Sequence, residues 1–319
     1  MLALVFPGQG AQTVGMAADL ARSRPEAAAV FAVADAALAD AGLPQPLSAI
    51  CFEGPEDLLT ATEVAQPALL TAAYACFCCA RAALGEVGLT AGHSLGEYTA
   101  LVVAGALDFA TAVRLVRRRG ELMRDCAAAH PGAMAAVLNL DDAKVAELCA
   151  ATEGVVVPAN FNAPGQVVIS GERPAVAAVT AAAKAAGGRA VPLKVSGAFH
   201  SPLMAPAAAA MAEELASAEI RDAAVPVVQN FTAAPESRAA ALRQGLADQI
   251  TGSVRWTESV RAMAALGVDQ VVEFGPGTVL SGLIKRTAAG LACYNVNSAA
   301  SCEGLAGWLA GGEGAARDD

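Results

Sequence analysis

Short strand-like runs, each closed by glycine, alternate along this chain with long alanine-rich stretches. Leu2-Ala3-Leu4-Val5-Phe6 is apolar at every position and stops at Pro7-Gly8-Gln9-Gly10. Thr90 to His93 and Val271 to Phe274, though interrupted by Thr90, His93 and Glu273, also read as core strands that end at glycine-containing loops, the second at Gly275-Pro276-Gly277. Runs that are apolar throughout, rather than at alternate positions, read as strands covered on both faces, as in a parallel sheet between helices. The stretches Ala11 to Leu43, Pro67 to Leu84 and Glu97 to Cys126 read as mainly helical. The predicted class is α/β with a parallel sheet, and the carboxyl ends of its strands are where a site is expected.

The texture changes near Gly132. Ala133 to Leu140, Val155 to Asn160, Gln166 to Gly171 and Arg189 to Val195 read as strands, separated by helices at Asp141 to Ala151 and Pro174 to Ala186. Two helices against four short strands predict a smaller ferredoxin-like insert over residues 127–196. The larger unit then comprises residues 1–126 and 197–310, and the glycine-rich end, 311–319, reads as a disordered tail.

Composition narrows the classes. The chain has 319 residues, 55% of them hydrophobic and 16% charged, which is enough to bury a large core. A formal net charge of −10 argues against a nucleic-acid partner, which wants a basic surface. No membrane span and no signal peptide are expected, so the predicted location is cytoplasmic and the expected state a monomer. With eight cysteines in a long chain and only three histidines, neither a disulfide framework nor a metal site is expected.

The most specific chemistry lies in Gly92-His93-Ser94-Leu95-Gly96-Glu97-Tyr98. Gly-x-Ser-x-Gly is the pattern of a sharp strand-to-helix turn that lifts a serine hydroxyl out of the backbone, and it needs small residues on both sides. Ser94 is the candidate nucleophile, and a serine nucleophile needs a base. His93 adjoins Ser94 in the turn, so its side chain should leave in another direction. His130 precedes Pro131-Gly132, a turn signature suited to a solvated loop. His200 sits where a strand-like run breaks into a loop, the kind of place where catalytic groups gather, and is the candidate base.

At this point the chain resembles the malonyl-CoA:acyl-carrier-protein transacylases of fatty-acid synthesis. The resemblance is carried, in order, by Pro7-Gly8-Gln9-Gly10, Gln66-Pro67-Ala68-Leu69-Leu70, the Gly92 to Tyr98 turn, Arg119-Gly120, Asn160-Phe161-Asn162-Ala163-Pro164-Gly165-Gln166, Gly197-Ala198-Phe199-His200, Val254-Arg255-Trp256-Thr257 and Glu273-Phe274-Gly275-Pro276-Gly277. It implies a large α/β-hydrolase-like domain with a ferredoxin-like insert. It also implies Ser94 as acyl-bearing nucleophile, His200 as base and acid, and the backbone N–H groups of Gln9 and Leu95 as oxyanion hole. Arg119 would grip the free carboxylate of the acyl group, since a guanidinium binds a carboxylate through two parallel hydrogen bonds. Gln66, Asn160 and Asn162 would complete substrate binding, and the backbone carbonyl of Arg255 would orient His200. The resemblance further implies, from Phe199 beside His200, use of malonyl over branched methylmalonyl groups. No cofactor or metal is implied; malonyl-CoA is substrate, and phosphopantetheine arrives on the partner, acyl carrier protein.

Two departures stand out. The stretch before the turn, Leu84 to Ala91, is poorer in branched apolar residues than a buried strand usually is. The acidic balance also leaves docking of an acidic carrier to local cations, with Arg114, Arg117, Arg118, Lys194, Lys285 and Arg286 as candidates. The rival readings are a malonyl transferase that loads a polyketide synthase or malonate decarboxylase carrier, and a serine thioesterase or hydrolase.

Overall fold

The computed structural model describes residues 1–195 and 197–311. Among them, ten strands form two sheets: β1 (Leu2–Phe6), β2 (Val87–Gly92), β3 (Gly132–Leu138), β4 (Val156–Ala163), β5 (Gln166–Glu172), β6 (Arg189–Pro192), β7 (Val227–Val228), β8 (Pro235–Glu236), β9 (Gln270–Phe274) and β10 (Ala292–Val296). The larger sheet has the order β10-β9-β1-β2-β7-β8 and is parallel except for β8, which runs against β7. The three predicted core strands lie side by side at its centre. Every residue of β1 is buried, with Leu2, Leu4 and Phe6 in one apolar cluster and Ala3 and Val5 in another. That split is the physical meaning of an all-apolar strand: alternate side chains feed two separate helix layers.

The second sheet is antiparallel, in the order β4-β5-β3-β6, with helices Asp142–Ala150 and Arg173–Ala185 against one face. Its βαββαβ succession is the ferredoxin-like arrangement predicted. Val137, Val167, Ile169 and Val179 fill the space under those helices, whereas Met134, Ala159 and Val168 join the cluster of the larger unit. Two backbone hydrogen bonds tie the sheets' surroundings together: Phe161 N to Val254 O at 2.9 Å and Val254 N to Ala159 O at 2.8 Å. Residue 196, the last of the insert as read from sequence, lies outside the described residues, and so does the tail from 312 onward.

Three helices depart from the sequence reading. Glu97 to Cys126 is not one helical stretch but two helices, Gly96–Val103 and Phe109–Ala129, broken where Gly105 turns through φ 76°. Asp108 restarts the chain as a helix, its carboxylate accepting from the Thr111 N–H at 3.0 Å. The helix expected to begin at Pro67 begins at Thr62 and runs to Ala80 with the proline inside it. An interior proline leaves the carbonyl four residues back without its usual donor. Arg117 supplies the replacement, Nη1 donating to Glu63 O at 3.0 Å.

Together with its 3₁₀ extension to Ala83, the Thr62 helix is long and apolar enough to cross a membrane, contrary to expectation, but 72% of its apolar window is buried inside the protein. It packs on helix Phe109–Ala129, and Gly120 makes their close approach possible: a Cβ there would stand 2.5 Å from Glu63 Cα. Gly120→Ala therefore forces the two helices apart and is expected to destabilise the fold by about 1–3 kcal/mol, the usual range for overpacking. Gly282, exposed in helix Val279–Thr287 with nothing near its would-be Cβ, is the control: Gly282→Ala should leave stability unchanged or raise it by up to about 1 kcal/mol. Urea unfolding of both variants checks the pair.

Candidate active site

The chain leaves β2 at Gly92 and enters helix Gly96–Val103 four residues later, with Ser94 at the apex in left-handed backbone geometry, φ 51°. A non-glycine residue rarely adopts that conformation, and it persists only where surroundings enforce it. They do so by contact on both sides. A Cβ on Gly92 would sit 2.0 Å from the Gly96 carbonyl carbon, and one on Gly96 would sit 2.1 Å from Phe6 O. Asn230 pins the turn: its Oδ1 accepts from Ser94 N at 2.6 Å while its Nδ2 donates to Gly92 O at 2.6 Å. Although the stretch before the turn is poor in branched residues, β2 pairs with β1 from Val87 to Gly92, with one irregularity between Leu2 and Ala3.

Ser94 Oγ lies 2.8 Å from His200 Nε2. On the far side of the ring, Nδ1 lies 2.8 Å from the Gln249 backbone oxygen. A carbonyl only accepts, so Nδ1 carries the proton and Nε2 is left to receive one from the serine. The predicted pairing of Ser94 with His200, without a carboxylate behind it, is thus present in geometry. The predicted orienting residue is not. The Arg255 carbonyl instead accepts from Ser259 N at 2.9 Å and Ser259 Oγ at 3.0 Å, inside the first turn of helix Trp256–Ala265, so Gln249 takes its place beside the base. His200 itself has φ 55°, a second residue held in left-handed geometry. Burial, aided by the Arg119 and His93 charges, pushes its pKa from 6.5 down to about 3. It is a neutral base in the resting site.

Arg119 enters from helix Phe109–Ala129. Its companions on that helix point elsewhere: Arg114 bonds Thr111, Arg118 pairs with Glu214, and Arg117 is spent on Glu121 and two backbone carbonyls. Arg119 alone is sealed inside, 1% exposed. Nη1 donates to Gln66 Oε1 at 2.8 Å, and Nη2 donates to Gln249 Oε1 at 2.9 Å and to Ser94 Oγ at 3.1 Å. All three acceptors are neutral, and Arg119 forms no ion pair among the described residues. Gln66 supports the guanidinium from behind: it is fully buried and is not among the residues lining the cavity.

These groups open onto one cavity of about 250 Å³, lined also by Gln9, Leu95, Asn160, Phe199 and Lys194. Neither Gln9 N–H nor Leu95 N–H has a protein acceptor among the described residues, as an oxyanion hole requires. The Gln9 side chain is fixed by Thr62, whose hydroxyl donates to Oε1 at 2.9 Å. Asn160 faces the Ser94 cavity, but Asn162 does not. Its Oδ1 sits 2.8 Å from His93 Nε2, and both line a neighbouring cavity of about 190 Å³. His93 thus bonds across to β4 while also lining the Ser94 cavity, and His130 is an exposed helix end. Sequence reasoning missed Gln249 and Asn230, the two residues that hold the base and the turn. For Gln249 no signal was available, since a backbone carbonyl carries no side-chain signature.

A hydroxyl poised beside a neutral imidazole, with free N–H donors alongside, is the equipment of enzymes that pass acyl groups through a serine ester. The chain belongs to the acyl transferase domain family, whose sequence profile matches residues 3–309. It is 48% identical over 299 residues to the malonyl CoA-acyl carrier protein transacylase of Escherichia coli K12, covering 92% of this chain and 95% of that protein. An acyl carrier protein S-malonyltransferase from Vibrio cholerae superposes with a TM-score of 0.91 at 42% identity, covering 95% and 99% of the two chains. A malonyl-transacylase in complex with its type II polyketide acyl-carrier protein gives a TM-score of 0.90 at 43% identity, covering 95% and 98%.

The depressed His200 pKa sets a pH signature. A base must be unprotonated to work, and kcat/KM reports the free enzyme. With the imidazole neutral down to about pH 3, kcat/KM for serine acylation should not show an acid limb at the ordinary histidine value. Stopped-flow acylation between pH 5 and 8, covering the range where an unperturbed histidine near 6.5 would titrate, checks this; halving near 6.5 would contradict it.

Proposed function

We propose that the chain transfers the malonyl group of malonyl-CoA to the phosphopantetheine thiol of acyl carrier protein through a malonyl-Ser94 ester, supplying fatty-acid elongation. The observation that carries this reading is the buried guanidinium without an ion pair. Holding a charge out of water is costly unless an opposite charge meets it. The cavity beside Arg119 is where that opposite charge arrives, and the 3.1 Å separation of its Nη2 from Ser94 Oγ fits an acyl chain whose carboxylate and reacting carbonyl are two carbon–carbon bonds apart. An acetyl group brings nothing to the guanidinium.

The steps follow from the contacts. Ser94 Oγ gives its proton to His200 Nε2 and attacks the thioester carbonyl. Gln9 and Leu95 N–H groups take the oxyanion, and loss of one such donor costs about 100 to 1000-fold in rate. The C–S bond breaks, the imidazolium returns its proton to the departing CoA sulfur, and malonyl-Ser94 remains. The carrier's thiol then enters, gives its proton to His200 and reverses the sequence. Nucleophile, base and counter-cation all come from the chain, so the proposed route draws on no resident cofactor or metal. Lys194 is exposed at the cavity wall and offers a positive charge to the phosphorylated arm of either substrate. Reading the enzyme as cytoplasmic rests on the water-soluble, highly charged thioester it consumes.

Incubation with malonyl-CoA is expected to add one malonyl group by intact mass, with a single burst of CoA that stops until carrier protein is supplied. Steady CoA release without carrier would mark a hydrolase instead. Ser94→Ala should abolish the adduct. Arg119→Ala should keep a labelled serine but lose preference for malonyl over acetyl by at least about tenfold, the scale of one charge-assisted pair. Retained preference would remove Arg119 from the selector role.

A further inference from the structure

Glu97 is a carboxyl group in the wall behind the site, and the acyl-transfer steps leave it unused. It follows the turn, is fully buried, and uses a single oxygen for two bonds: Oε2 accepts from Gln249 Nε2 at 2.7 Å and from Asn230 N at 2.9 Å. Its other oxygen has no partner among the described residues. Both of its donors are the residues that assemble the site. Asn230 pins Ser94, while Gln249 offers its backbone carbonyl to His200 and its side-chain oxygen to Arg119.

The Gln249 side chain has two unlike ends, and its contacts demand a particular orientation. Arg119 can only donate, so it needs the oxygen end; the Ser94 carbonyl, 3.0 Å from Nε2, and the Glu97 carboxyl oxygen accept at the nitrogen end. Of the two acceptors, Glu97 makes the shorter contact, and burial shields it from competing water. We propose that Glu97 is a positioning residue for acyl selection: by anchoring the Gln249 amide it keeps Arg119 aimed at the place where the acyl carboxylate docks. Without it the amide keeps only one acceptor at its nitrogen end, and the guanidinium loses a fixed support.

The inference rests on the malonyl-transfer reading and deepens it. Its test compares kcat/KM for malonyl-CoA and acetyl-CoA in Glu97→Met and Glu97→Gln, with thermal unfolding measured alongside. Glu97→Met removes the acceptor and is expected to cut the malonyl-to-acetyl ratio by about tenfold or more, the scale of a lost buried bond in a charged network. Glu97→Gln keeps a carbonyl oxygen for Gln249 and should hold the ratio within about threefold, even if an unpartnered amide hydrogen lowers the melting temperature. In an Arg119→Ala background Glu97→Met should leave the ratio unmoved. Equal losses with both thioesters, or an unchanged ratio, would reduce Glu97 to a packing role and overturn the proposal. Should Glu97→Met fail to fold, Gln249→Leu breaks the same relay at its middle while keeping the backbone carbonyl for His200, and full malonyl preference in that variant would overturn it equally. A wild-type enzyme that takes no malonyl label defeats the functional reading itself, a result separate from any change in ratio.

Discussion

Arg119 carries a full positive charge into the interior, where it donates to the oxygens of Gln66, Gln249 and Ser94 and lies over the Tyr98 ring. Such a charge is stable there only because the surrounding fold fixes those dipoles before any substrate arrives. Much of the architecture serves that end. Gly120 lets helix Phe109–Ala129 press against helix Thr62–Ala80, which brings Gln66 within reach of the guanidinium. The proline inside the second helix frees a carbonyl that Arg117 occupies, so the helix contact is itself clamped by a neighbouring arginine. Charge placement and helix packing are one constraint.

The serine turn obeys a different economy, that of close contact. Left-handed geometry at Ser94 and His200 presents both side chains to one cavity, and neither conformation would survive in a loose loop. Gly92 and Gly96 bring the β2 end, the helix start and Phe6 within van der Waals contact. Asn230 satisfies the turn's exposed N–H and carbonyl together. The strain at the apex is therefore held by atoms from three separate stretches of chain, around Phe6, residues 92–96 and Asn230, which explains why a short motif is informative only when its distant partners are also present.

Much of this was legible in the residues because the chemistry requires side chains. Ser94 and His200 could be picked out by motif and elimination, an all-apolar run gave β1, glycine-closed runs gave its two neighbours, and the ordered blocks gave the class of acyl group. What escaped legibility was work done by backbone or by context. The carbonyl that orients His200 belongs to Gln249, and nothing in a sequence distinguishes that carbonyl from the Arg255 one expected. Strand β10, Ala292–Val296, mixes Cys, Tyr and Asn because it is the sheet edge and is only half covered, so it lacked the continuous apolar signature of β1. Helix Thr62–Ala80 was cut short at Pro67 because the local rule against interior proline is sound. Tertiary rescue by Arg117 overrode it.

Recognition and proton transfer are linked through the same guanidinium. After burial, the Arg119 charge is the largest influence holding His200 below its ordinary basicity. On the proposed reading, a carboxylate docked on Arg119 would cancel much of that charge and make the imidazole a better base with the correct acyl group in place. An acetyl group would leave the guanidinium uncompensated and the base weak. Selectivity would then arise twice from one contact: once in binding, through the ion pair, and once in the chemical step, through the field at Nε2. The second contribution acts on the transition state, where a proton has moved onto the ring and a nearby positive charge is most costly.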